Sequence, residues 1–166
     1  MKRLLPMLAA TALIVHAPHA QDLPILCSAP ECSQFDFWVG EWIVKANGTR
    51  AGTSRITKIL DGCVIMEEWE GGSNFKGKSF NRYDPVKQKW EQYWVDNLGG
   101  VLRISGGYAD GKMVMSGESV GPTGPVVDRI TWHNKKNGTV QQVWEKSSDG
   151  GKTWTIAFDG LYRRKG

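Results

Sequence analysis

Turn dipeptides cut this chain into strand-length pieces: Asn47-Gly48, Asp61-Gly62, Gly71-Gly72, Gly99-Gly100, Asp110-Gly111, Asn137-Gly138 and Asp149-Gly150. Asn-Gly and Asp-Gly tolerate the positive φ that two-residue hairpins require, so each marks a place where one strand turns back on the next. Between them lie runs at 41–47, 51–60, 63–70, 75–83, 88–96, 100–108, 112–119, 126–134, 139–147 and 153–163. These are about ten strands joined mostly by hairpins. Eight tryptophans and many Val, Ile and Thr support strands over helices. Ten consecutive antiparallel strands must split into two stacked sheets or close on themselves. The even spacing, without a long crossover, predicts an all-β fold: a single up-and-down antiparallel β-barrel. A short helical turn over 33–39 is expected before the first strand, with Ser33 as candidate N-cap.

The first twenty residues, MKRLLPMLAATALIVHAPHA, have the layout of a secretory signal: Lys2 and Arg3, an apolar run from Leu4 to Val15, then small residues. The run is too short to span a bilayer. Leu26 precedes Cys27 where a lipoprotein signal would carry a small residue, so no lipid anchor is expected. The expected organisation is a signal over 1–20, an extension over 21–34 and one barrel domain over 35–166, with no transmembrane segment after cleavage and a periplasmic or secreted location. Without the signal, 19 basic residues face 17 acidic ones. A net charge of +2 does not suggest a nucleic-acid partner.

Cys27, Cys32 and Cys63 remain in an oxidising compartment. Any of three pairings is open. The short C-S-A-P-E-C loop makes Cys27 with Cys32 the easiest, which leaves Cys63 as a small buried apolar residue.

Residues 35–42, FDFWVGEW, form the densest aromatic patch. Gly40-Glu41-Trp42 looks like the G-x-W signature of lipocalins and, more broadly, calycins. FDFWVGEW together with Gly62-Cys63, Gly77-x-Ser79-x-Asn81-x-Tyr83-Asp84, WEQYWVDN and SSDGGKTW resembles a family of uncharacterised bacterial secreted proteins of calycin-like (lipocalin-type) barrel fold. That resemblance implies that Trp42 packs across one end of the barrel under a basic residue of the last strand, Arg163 or Arg164. The physical need is independent of the likeness. A barrel end requires a large flat plug, and a guanidinium can satisfy rim carbonyls and stack on the ring. Gly40 would let the chain turn into the first strand, with Phe35 and Phe37 as further seal.

Two other motifs point to chemistry and carry little of it. Ser147-Ser-Asp-Gly-Gly-Lys-Thr-Trp154 fits the Asp-box pattern of sialidase-type propellers, but one copy builds a rigid hairpin and no propeller. His133 is the one histidine left after signal removal, so a His-rich zinc site is excluded and no metal or cofactor is expected. A late-strand histidine on a calycin-like barrel is similar to nitrobindin's haem ligand, yet the glycine-rich opening motif of that family is missing.

Alternation at period two is more informative. One face of the fifth strand carries Trp90, Gln92, Trp94 and Asp96. The fourth offers Gly77, Ser79, Asn81 and Tyr83, and the third Ile65, Glu67 and Trp69. Late strands add Arg129, Thr131 and His133, then Gln142 and Trp144. Placing the tryptophan face inward buries more area than the opposite choice. The expected interior then has walls at Trp69, Trp94 and Trp144 and polar contacts at Glu67, Ser79, Asn81, Gln92, Asp96, Arg129 and Gln142. The same groups could instead satisfy one another, with Arg129 paired to Glu67 or Asp96.

Three functions follow from this face. A small, partly apolar ligand in the interior is the leading expectation. An enzyme of isomerase, cyclase or hydrolase type is the alternative, with Glu67 or Asp96 as a general acid or base whose pKa is raised by burial. A structural envelope module without a ligand is the third. The sequence specifies neither the ligand nor an oligomeric state.

Overall fold

In the computed structural model, which describes residues 27–166, the chain forms a closed antiparallel barrel of ten strands. The expected signal over 1–20 and residues 21–26 of the expected extension lie outside the described residues. The strands are β1 (Gly40–Ala46), β2 (Thr49–Ile59), β3 (Val64–Gly71), β4 (Lys76–Asp84), β5 (Lys89–Asp96), β6 (Val101–Ala109), β7 (Lys112–Gly121), β8 (Gly124–Asn134), β9 (Val140–Ser147) and β10 (Thr155–Arg164). Each pairs with its sequence neighbours, and β10 closes on β1 through a register that sets Trp42 opposite Arg164. Strand ends depart from the expected ones by no more than two residues. At the β1–β2 and β6–β7 hairpins, Asn47-Gly48 and Asp110-Gly111 all take positive φ, as such turns demand.

The helical segment differs from expectation. It consists of two short 3-10 turns, Pro30–Ser33 and Asp36–Trp38, neither with a side-chain cap, and Ser33 ends the first instead of capping a helix. Proline at the first position starts that turn at residue 30, four residues before the start that a Ser33 cap would give.

These turns close one end of the barrel. Phe35, Trp38 and Trp42 are almost fully buried, against Trp90, Trp132, Met113 and Tyr162. Trp38 stacks on Phe35 at 4.9 Å, and Trp132 meets both Phe35 and Trp38. Trp42 donates its Nε1–H to the Trp38 carbonyl at 2.8 Å. Over its ring, at 4.2 Å, lies the guanidinium of Arg164, which also donates to the Val39 carbonyl at 2.8 Å. Arg163, opposite Ile43 and one residue off the parity of Arg164, lines a surface recess with Lys45, Gln141 and Leu161. Gly40 is needed here for a second reason besides its φ of +145°: a Cβ would sit 1.8 Å from Arg164 Nη1. Asp36 and Glu41 serve as surface charge, paired with Lys58 and with Arg55 and Lys165.

The disulfide joins Cys27 to Cys63, and not Cys27 to Cys32. Ring size favours the short pairing, but the 3-10 turn spends those residues in a rigid segment that aims Cys32 into the core. Cys27, just ahead of the turn, meets the β2–β3 connection instead. The bond ties the plug segment to the wall, and in the chain-entropy view closing a loop of 36 residues is worth about 4 kcal/mol.

Because Trp42 has ring neighbours, a hydrogen bond and a cation, Trp42→Ala is expected to cost about 3–5 kcal/mol and to lower Tm by several degrees. Calorimetry checks this, and an unchanged Tm would contradict the plug.

Candidate functional site

Inward-facing residues of the upper strands enclose a cavity of about 350 Å³ at the end opposite the plug. Its mouth lies among Ala51, Gly71, Gly72, Phe75, Asp96 and Ala157, near the β3–β4 and β5–β6 hairpins. Trp69, Trp94, Trp144 and Phe158 form the walls, and Glu67, Gln92, Gln142, Tyr162, Leu102 and Ile130 lie deeper.

The wall rings are laid flat by glycines. At Gly77 a Cβ would come within 2.1 Å of the Trp94 ring, at Gly52 within 2.9 Å of Trp69, and at Gly160 within 2.4 Å of Phe158. A tryptophan next to a bare strand position can fold down onto the backbone instead of standing into the lumen. Three rings in that posture leave the space open.

A polar belt crosses four neighbouring strands below the rings. Ser54 on β2 donates to Glu67 Oε1 at 2.9 Å, and Ser79 on β4 donates to Oε2 at 3.0 Å. Asn81 Nδ2 donates to Ser79 Oγ at 3.0 Å and to the Ile65 carbonyl, and Gln92 Nε2 on β5 donates to Asn81 Oδ1 at 2.7 Å. Register explains the chain, since Glu67 lies opposite Ser79 and Asn81 opposite Gln92. Across the lumen, the Tyr162 hydroxyl donates to Gln142 Oε1.

Glu67 is 4 % exposed, and among the described residues its hydrogen-bond partners are the Ser54 and Ser79 hydroxyls and no cation. Burial raises its pKa to about 7, against the lowering pull of the Ser54 and Ser79 hydroxyls. A carboxyl poised near neutrality can give or take a proton at physiological pH. Burial also holds the Tyr162 phenol well above its ordinary range, and the nearby Glu67 charge pushes in the same direction. Asp96 behaves oppositely to the raised pKa expected of it. Burial at the rim opposes its ionisation, but the Gly100 N–H, the Trp94 indole and the Leu98 N–H outweigh it and hold the carboxyl below its usual range. It is a permanent anion that shapes the β5–β6 turn.

Of the expected pocket residues, Glu67, Trp69, Gln92, Trp94, Asp96, Gln142 and Trp144 line the cavity. Ser79 and Asn81 are fully buried behind it and orient Glu67 and Gln92. Arg129 is elsewhere. On β8 the inward residues are Asp128, Ile130 and Trp132, so Arg129, Thr131 and His133 face outward. Arg129 pairs with Glu145 at 3.0 Å and stacks over Trp154 at 3.8 Å, outside the barrel. The area rule that places β5 correctly would also have placed β8, because Ile130 and Trp132 bury far more apolar surface than Thr131 and His133. Asp128 is the carboxylate that this face brings inside, held by Trp144 Nε1 at 2.7 Å and by Ser119 and Lys146.

Phe75, Phe158 and Tyr162 were missed as well. The Arg164 stack sets the inward parity of β10, and stepping back by twos from Arg164 reaches Tyr162, Gly160 and Phe158. A bulge at Ala157 then breaks that parity, turning Ile156 outward. The Asp-box segment is the rigid hairpin expected: Asp149 Oδ1 accepts the N–H groups of Lys152 and Thr153, and Trp154 Nε1 donates to the Gly151 carbonyl. No group of three or more His, Cys, Asp and Glu among the described residues is placed to hold a metal ion. Nor is any described helix long and apolar enough to cross a membrane. Compared with known proteins, the chain matches no family model and no curated protein sequence.

Glu67 has a pKa raised from 4.5, so the folded state binds its proton more tightly than the unfolded state. Its contribution is full below pH 4.5 and is lost as pH rises to about 7, in all about 3 kcal/mol. Denaturant titrations at pH 4.5 and 7.5 are expected to show this fall in the wild type relative to Glu67→Gln, whose amide does not titrate. Parallel pH profiles would place Glu67 in water. Separately, Gly77→Ala is expected to lift the Trp94 ring into the lumen, at about 1–3 kcal/mol. A crystal structure of that variant with the ring unmoved and the cavity undiminished would refute the role of the glycine.

Proposed function

We propose that this protein is a periplasmic or secreted barrel that takes up a small, partly apolar molecule in its interior. The cavity carries the proposal: about 350 Å³ with aromatic walls and a few convergent polar groups matches the composition of small-molecule sites. The Cys27–Cys63 disulfide suits an oxidising compartment, and so does the signal-like leader. Likeness to calycin-like secreted proteins in the FDFWVGEW motif belongs to the same proposal.

Native mass spectrometry of protein purified from its own host tests it. A retained small molecule is expected with the wild type and lost with Ala51→Trp, which fills the mouth. Equal retention in both would place the molecule outside the barrel. No retention, and no binding from a metabolite extract, would sink the proposal.

An enzymatic second reading is favoured by one observation, the Glu67 carboxyl titrating at about 7 inside the same cavity. Asp96, bound up in its turn, is not available as its partner. Incubating the retained molecule with wild type and with Glu67→Gln separates the two. A product formed only by the wild type indicates catalysis, and an unaltered molecule with both indicates a carrier.

A further inference from the structure

We infer that the interior site selects a small organic cation of the quaternary or tertiary ammonium class. The inference rests on the interior-binding reading and adds the charge of the ligand. Two independent features of the cavity carry it.

The first is the set of rings. Trp69 and Phe158 meet edge to face at 6.1 Å on one side, and Phe75 and Trp94 lie 6.4 Å apart on the other. Trp144 stands beside Phe158 in the β9–β10 register. Trp69, Phe75, Trp94, Trp144 and Phe158 border one space, and aromatic faces carry negative quadrupole potential, which suits a diffuse alkylammonium charge. The protein already uses three of its tryptophans this way, with Arg164 over Trp42, Arg129 over Trp154 and Lys146 Nζ over Trp144 at 4.7 Å.

The second is the charge balance. Among the lining residues the ionisable side chains are Glu67, Asp96 and Tyr162, two carboxyls and a phenol, without Lys, Arg or His. Among the described residues, Glu67 is hydrogen-bonded by the Ser54 and Ser79 hydroxyls and its charge is felt at the Tyr162 phenol, none of them cationic. Lys146 near the mouth is matched by Asp128, 3.7 Å from its Nζ. An anionic guest such as a carboxylate would meet two carboxyls and no counter-charge, at a high desolvation cost. A cationic guest finds a fixed anion at the rim, Asp96, and at the floor a carboxyl that its own charge would help to ionise.

The test uses three molecules of one shape: choline, its uncharged carbon isostere 3,3-dimethylbutan-1-ol, and the anion 3,3-dimethylbutanoate. Titrations are followed by tryptophan fluorescence and calorimetry at pH 8. Choline is expected to bind at least about tenfold more tightly than the alcohol, and the anion more weakly than either. Phe158→Leu keeps apolar bulk and removes a ring, and Glu67→Gln removes a charge. Each is expected to weaken choline and to leave the alcohol within about twofold, a difference that general unfolding would not produce. If the alcohol binds as well as choline, the cation inference fails while the interior site stands. If none of the three binds, the cation inference fails, and the interior-binding reading falls with it only where native mass spectrometry also finds no retained molecule.

Discussion

Closure of β10 on β1 is the contact on which the rest depends. Ten strands in sequence order make a sheet with two raw edges until Trp42 and Arg164 come opposite each other. The guanidinium then covers the Trp42 ring, takes the Val39 carbonyl and crosses Gly40, where no side chain could stand. One residue near the chain's end thereby holds the entry segment, the first strand and the plug. The Cys27–Cys63 bond and the Asp36–Lys58 pair fasten the same segment from the other side. Only a barrel closed at one end can give its lumen a floor.

Above that floor the interior changes character in layers. Apolar side chains, Phe35, Trp38, Trp90, Met113 and Trp132, fill the plug end and are almost fully buried there. The belt from Ser54 to Gln92 follows, its hydrogen bonds passing between neighbouring strands and once along β4, so the buried Glu67 carboxyl is held by hydroxyls. The rings lie above both, flat against Gly52, Gly77 and Gly160, and the space between them stays open. Glu67, at the boundary of the belt and the open space, combines a depth that shifts its pKa with contact to whatever occupies the cavity.

Strand number, order and ends were legible because hairpin turns and period-two patterns are local signals, fixed by φ preferences and side-chain alternation. Where the larger apolar residues fell on one face, as on β5, the inward side was legible too. On β8 the polar residues Arg129 and His133 suggest one inward face, and burial of Ile130 and Trp132 selects the other. The Ala157 bulge is a different case. Ile156 and Phe158 share a parity in the sequence, and only the pairing with β9 separates them.

The sequence by itself determined an all-β chain of ten hairpin-linked strands, a plug at FDFWVGEW and a set of polar and aromatic residues from which the cavity could be drawn. Tertiary structure decided which members of that set meet. It sent Arg129 outside, made Cys63 the partner of Cys27, and set Glu67 between two serine hydroxyls, Ser54 and Ser79. Alternation and turn chemistry act over a few residues and can be read along the chain. Barrel closure, bulges and the sharing of a buried charge are settled between strands far apart in sequence, by the area and hydrogen bonds gained when the whole sheet closes.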